Sequence, residues 1–494
     1  MTPFEPNTLV SFSSKKTAPP RKVAPASPPA TPAINGVKHG NGLTQPSGWV
    51  DRNTAILVVH GIGDQLPLAT LDAFGRGLIH QFRKDFGDRL QVQHKVKAKD
   101  ADGKHNQWFD NVVRFTLEGS PAYIDLYEYY WANYTEDKAS WKDLTQWLQG
   151  VTKGASKFYR RNGDLGEVYK DKSPFFTHDG KFRAWRYRMF VYFISKTFIL
   201  LNMITTGILK LVSLIPVVGE VADSLLRSFI ETQVHMLTNI IGDIAVYNVV
   251  DPKSKFYCVR RNVLDGAVEA LRFLIEAEEN SAQQGVQQLA YPAVVVAGHS
   301  LGSQVAYDAI NRINLLVNQG DIRHYDTDGR YKPDNMKEQG VRRISDQLAR
   351  FVTFGSPLDK IAFFLREFVE DKDYLRQQLL TAYHGFKQRD WTMRELHQAQ
   401  VRKTKAKRQG AAESSGINEY VPLAPTLKRL LDDMEWRNYF DGKDPVSGGL
   451  DYYKDVVNID CAFAHNGRKG FSHSYYWDFE HFYADVIRQS VIRR

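Results

Sequence analysis

Residues 294–310 read VVVAGHSLGSQVAYDAI. A β-branched apolar run leads into Gly298-His299-Ser300-Leu301-Gly302, and an apolar helical pattern follows. A short continuous apolar run reads as a strand buried on both faces, the kind found in parallel sheets. A sharp strand-to-helix turn strains its central residue, and glycines on either side leave room for it. Such a turn lifts the Ser300 hydroxyl above the carboxyl edge of the sheet. The following helix N-terminus then aims N–H groups at the place where negative charge would develop. G-x-S-x-G also arises as a plain packing turn, but the strand before it and the helix after it favour a nucleophile.

The same strand-helix rhythm extends to both sides. Thr54–His60 (TAILVVH) reads as a buried strand ending at Gly61-Ile62-Gly63, and 66–86 has helical periodicity. Strand-like runs follow at 90–97, 111–117 and 122–129, then a helix at 139–150. Residues 260–278 form an amphipathic helix that leads into strand 293–298. Strand 350–354 precedes Gly355-Ser356-Pro357 and a helix from about 359; 434–440 reads as a strand and 478–492 as a closing helix. This alternation predicts an α/β fold with a mostly parallel sheet covered on both faces.

A serine hydroxyl needs a base, and the base needs an orienting acid. On this kind of fold the chain order is Ser, acid, His, so the search runs downstream of Ser300. His465, His473 and His481 are the late histidines. His481 has helix spacing and reads as a surface or packing residue. His473 sits in a Ser- and aromatic-flanked loop before the closing helix and is favoured as base, with His465 as alternative. For the acid, Asp444 lies in the turn-rich loop after 434–440, where Pro445 blocks continuation of strand or helix. Asp359 and Asp441 are the alternatives, Asp359 doubling as a helix N-terminal charge. The oxyanion donors expected are the Leu301 and Ile62 backbone N–H groups.

VVHGIGDQ, AGHSLGSQVAYDAI, TFGSPLD, NYFDGKDPVSG and HSYYW fall in the order seen in α/β-hydrolases of the lipase and serine-esterase kind, which the chain resembles. YEYYWANYTEDKASWKDLTQWL (127–148) is similar to a segment of large bacterial hydrolases of this type. The likeness is close in the motifs and loose over about 55–350, and it departs in the long insertions. It implies an α/β-hydrolase fold in which Ser300 matches the nucleophile, Asp444 the acid, His473 the base, and Ile62 and Leu301 the oxyanion donors. It implies a serine hydrolase of carboxylic esters, lipid acyl esters foremost, with no metal or organic cofactor. A thioesterase or acyltransferase using the same triad stays open, as does a catalytically silent, membrane-recruited scaffold.

The expected organisation is a Pro-rich basic tail at 1–49, hydrolase halves at 50–154 and 251–494, an apolar insertion at 155–250 and a loop insertion near 385–425. The first 49 residues hold nine of the 20 prolines and one acidic residue, Glu5, and read as disordered. They contain no apolar core for a secretory signal. Residues 190–218 carry no acid and only Lys196 and Lys210 as charges. The uninterrupted apolar stretch, 197–209, is short of the ~20 residues of a comfortable span. A buried cap, a membrane-surface insertion and a tilted span all remain open. Arg183, Trp185, Arg186, Tyr187 and Arg188 beside it suit a lipid interface, and 226–244 has a helix-period stripe fit to cover a site. Arg402, Lys403, Lys405, Lys407 and Arg408 read as a solvated loop or a second lipid-facing patch.

The net charge of +9 favours anionic partners, but no nucleic-acid motif or aromatic-interleaved basic patch occurs. Two distant cysteines, Cys258 and Cys461, exclude a disulfide framework or CxxC zinc site and fit a reducing compartment. The expected location is the cytoplasmic side of a membrane.

Overall fold

The computed structural model describes residues 48–62, 66–96, 109, 111–135, 141–161, 173–192, 244–248, 254, 256–280, 287–332, 342–363, 386–387, 428–444, 446–463 and 472–492. The strands, in chain order, are β1 (Thr54–Val59), β2 (Leu90–Val96), β3 (Asn111–Leu117), β4 (Tyr123–Tyr129), β5 (Glu278–Asn280), β6 (Gln287–Leu289), β7 (Ala293–His299), β8 (Arg350–Phe354), β9 (Glu435–Phe440) and β10 (Val456–Asp460). Eight of them form one sheet in the order β10-β9-β8-β7-β1-β4-β3-β2, while β5 and β6 pair separately. From β10 to β4 every pairing is parallel; β3 and β2 extend the edge antiparallel. The sheet is therefore mostly parallel, with a mixed edge.

β1 and β7 are buried along their whole length because both faces are covered. Side chains alternate across a strand. Ala55, Leu57, Val59, Val294 and Val296 join one apolar core with α2 (Trp141–Arg161), α3 (Tyr257–Glu276) and α4 (Gly302–Gln319). Ile56, Val58, Val295 and Ala297 join the other with α1 (Ala69–Phe86) and the closing segment. Each of these valine, leucine and isoleucine side chains taken fully out of water stabilises the fold by about 1.5–3 kcal/mol.

This arrangement positions the site. After β1 the chain passes into α1 on one face; after β7 it passes into α4 on the opposite face. Adjacent parallel strands whose connections leave to opposite sides open a crevice at their carboxyl ends. His60-Gly61 and Ser300 are the residues placed there.

Several expectations are corrected. β10 is the last strand, not 434–440, and the β5–β6 pair is additional. The β10 sequence VVNID holds three β-branched apolar residues, but it is short and none of its residues is buried, as suits an edge strand. A 3-10 stretch (Ser472–Asp478) precedes the closing helix, which runs without a break from α5 (Glu480–Asp485) into a π-helical segment (Val486–Ile492). The helix expected at 139–150 continues to Arg161, past the insertion boundary expected at 155. Residues 1–47, 193–243 and 388–427 lie outside the described residues. They contain the tail, most of 190–218 and the 226–244 stripe, and the 402–408 basic run. Among the described residues no helix is long and apolar enough to cross a membrane.

Candidate active site

Ser300 has φ 50°, a left-handed backbone value that a non-glycine residue adopts only under strain. Its N–H donates to the Phe354 carbonyl of β8 (3.0 Å), which pins the turn to the neighbouring strand. A Cβ on Gly302 would overlap the Val59 and His60 carbonyl oxygens, so only glycine lets α4 begin this close to the end of β1. A Cβ on Gly61 would lie 2.7 Å from Ser300 Cβ. The β1 loop is thus seated directly against the serine.

Three segments distant in sequence converge on that hydroxyl. Ser300 Oγ–H donates to His473 Nε2 (2.9 Å), and His473 Nδ1–H donates to Asp444 Oδ2 (2.8 Å). This pairing sets the tautomer, with the ring proton on Nδ1 and the Nε2 lone pair toward serine. All three residues are buried. Burial pushes the Asp444 carboxyl up, but the His473 hydrogen bond and charge, the Val446 N–H (2.8 Å to Oδ1) and Ser447 outweigh it. The carboxyl ends well below the usual range and stays ionised.

The alternatives for the acid are otherwise engaged. Asp359 accepts from the Asp451 and Tyr452 N–H groups, both at 3.0 Å. Asp441 accepts from the Lys443 (2.8 Å) and Phe463 (2.7 Å) N–H groups. Each holds a backbone turn. His481 is exposed, and His465 lies outside the described residues. Leu301 is buried at the start of α4, where the first N–H groups of a helix lack intrahelical acceptors. Ile62 is half-buried against the core at the end of the Gly61 turn.

Residues beyond those expected complete the site. Tyr476 lies three positions after His473 in a 3-10 stretch, so the two side chains eclipse each other. Its hydroxyl donates to Asp444 Oδ2 (3.1 Å) and meets Ser447 Oγ (3.0 Å). Burial, and next the Asp444 charge, push that hydroxyl above the ordinary tyrosine range, so it stays a donor. Lys360 Nζ donates to the Asp444 carbonyl (3.3 Å); burial lowers this amine to about 8 while Asp444 and Asp359 draw it back up. The i, i+3 spacing in HSYYW was the available sign for Tyr476; nothing local marks Lys360.

His60 is the most informative addition. Its ring stacks on Trp131 at 4.9 Å, and its Nε2 accepts from the Trp131 (2.8 Å) and Ala132 (3.3 Å) N–H groups. The ring proton is therefore on Nδ1, which donates to the Gly61 carbonyl (2.6 Å). In a trans peptide the Ile62 N–H is directed opposite to that carbonyl, so His60 fixes the plane of the expected oxyanion donor. Burial lowers His60 to about 4, only partly offset by the Gly61 carbonyl. In the unfolded chain the ring takes a proton near 6.5, so its contribution to stability is full above that pH. It is lost as pH falls toward 4, by about 3 kcal/mol in all. Denaturant midpoints measured at pH 7 and 4.5 should show this loss in the wild type and a smaller one in His60→Asn. Equal losses in both would remove His60 as the cause.

No family model matches the chain, and neither a curated protein nor a solved structure matches it.

Proposed function

We propose that the protein is a serine hydrolase of the α/β-hydrolase kind that cleaves carboxylic esters through an acyl-enzyme, with lipid acyl esters as its preferred class. The observation that carries this reading is the continuous Ser300–His473–Asp444 hydrogen-bond chain at the carboxyl end of a parallel strand, with Ser300 in a strained turn. His473 Nε2 takes the Ser300 proton as Oγ attacks the acyl carbonyl, then returns it to the departing alcohol. Asp444 holds the ring in that tautomer and stabilises the imidazolium. The Leu301 and Ile62 N–H groups meet the developing oxyanion, each worth about 3 kcal/mol in the transition state. Water enters by the same general-base route and releases the acid. Leu66 and Leu68 are large apolar side chains exposed on the segment that leads from β1 into α1, a character that suits acyl chains.

The test is covalent. A fluorophosphonate probe should label the wild type at Ser300, and Ser300→Ala should stay unlabelled while keeping its circular dichroism. Esters and thioesters of graded acyl length, offered with and without an alcohol acceptor, then separate esterase from thioesterase and acyltransferase. Absence of labelling in the folded wild type would withdraw the reading.

A further inference from the structure

The helix at 184–192 presents two different faces. Tyr187 and Val191, one turn apart, are buried, with Tyr187 against Phe175 and Phe182 (ring centroids 5.5 Å in both cases). On the opposite side Trp185 is 65% exposed, Met189 45% and Tyr192 53%. Positions i, i+4 and i+7 fall within a narrow stripe of a helix with 3.6 residues per turn. Arg186 and Arg188 fall on the two shoulders of that stripe, and both are exposed. The Arg186 guanidinium lies 5.4 Å from the Trp185 ring and donates to the Pro174 carbonyl (3.4 Å), so it stays beside the stripe. Tyr187, expected at an interface from sequence, instead anchors the helix to the core.

A water-facing helix ordinarily turns charge outward. Here the outward stripe is aromatic and thioether, and the charge flanks it. Within 179–192 the only acid is Asp179, paired with Lys181 at 2.7 Å, which leaves Arg183, Arg186 and Arg188 as local excess positive charge. Half-inserted Trp and Tyr with flanking cations fit the headgroup layer of a bilayer, and arginines favour anionic lipid. We infer that the Trp185–Met189–Tyr192 stripe docks the protein in plane on an anionic membrane surface, with Arg186 and Arg188 against the headgroups. This role rests on the ester-hydrolase reading for its purpose and on the helix alone for its geometry. The helix leads in sequence directly into the apolar run that ends at 218.

The full chain would be floated with phosphatidylcholine vesicles, with and without phosphatidylglycerol, alongside turnover of a soluble short-chain ester. The wild type should float with anionic vesicles, less so at high salt. Trp185→Ser/Met189→Ser should lower that partition tenfold or more. Arg186→Ser/Arg188→Ser should remove the preference for phosphatidylglycerol. Both should turn over the soluble ester as the wild type does. Variants that float like the wild type, or a wild type that does not float, would overturn the docking role. So would a wild type that is dimeric in solution where Trp185→Ser/Met189→Ser is monomeric, because the stripe would then meet a second copy. A wild type that floats but leaves all esters intact would sink the hydrolase reading and leave the docking surface standing.

Discussion

His473→Ala should lower ester turnover about a millionfold, and Asp444→Asn about ten-thousandfold. At 1.36 kcal/mol per tenfold, the larger loss is about 8 kcal/mol of transition-state stabilisation. The reason for both lies in the two hydrogen bonds of His473. Without the ring, the Ser300 proton has no acceptor at 2.9 Å. With asparagine at 444, an amide N–H faces Nδ1, and the ring gives up the tautomer that leaves Nε2 open. The losses should not add. A Ser300→Ala/His473→Ala double variant should retain the same residual turnover as either single one, since the residues act as a unit. Asp359→Asn is the contrast: its carboxylate holds the Asp451 and Tyr452 amides, so stability should fall while the per-molecule rate of folded enzyme stays near normal. Steady-state kinetics on stopped samples of known folded fraction would check this. A His473→Ala variant within a hundredfold of wild type would refute the base assignment.

The largest effect on stability should come from the opposite end of the sheet. Arg114 on β3 and Asp125 on β4 are direct cross-strand partners, joined by two hydrogen bonds of 2.6 Å. The Asp125 side chain is fully buried, that of Arg114 21% exposed. Tyr291 donates to the same carboxylate at 2.7 Å and is itself hydrogen-bonded to Tyr127, and the guanidinium lies over the Tyr123 ring at 3.7 Å. Arg114→Leu leaves a buried carboxylate without its counter-charge, which costs about 3–5 kcal/mol. Arg114→Leu/Asp125→Leu should be more stable than Arg114→Leu alone, because the second change removes the stranded charge. Chemical denaturation of the three proteins would show the order. A double variant weaker than the single one would mean that the pair stabilises by more than mutual neutralisation.

How much of this could be read beforehand follows from range. Strands β1 and β7, helices α1 and α4 and the Ser300 turn are set by neighbours in sequence, and apolar runs, periodicity and paired glycines announce them. Asp444 and His473 were legible because chain order and loop chemistry narrow the field to a few residues. The remainder depends on partners far along the chain. β10 is an edge strand with mixed polarity, so its pairing with β9 is what makes it a strand. His60 acquires its tautomer from Trp131, 71 residues away, and Lys360 reaches a carbonyl 84 residues on. Neither distance leaves a local trace. Tyr187 was misplaced because an aromatic between arginines looks the same whether its face of the helix turns to lipid or to the core.

The hydroxyl of Ser300 and the ring beside it are separated by 173 residues, whereas the turn that strains the serine is made by its immediate neighbours. The entropic cost of closing such a loop grows only logarithmically with its length, but non-local contacts form more slowly than local ones. A chain whose central strands have assembled but whose 472–492 segment is still undocked therefore carries the strained serine as an inert alcohol. On the hydrolase reading, reactivity needs that long-range contact as well as the local turn. Loss of that contact would disarm the serine, yet Tyr476, Phe482, Val486 and Ile487 tie the segment into the same apolar core as the central strands, so its opening is coupled to theirs.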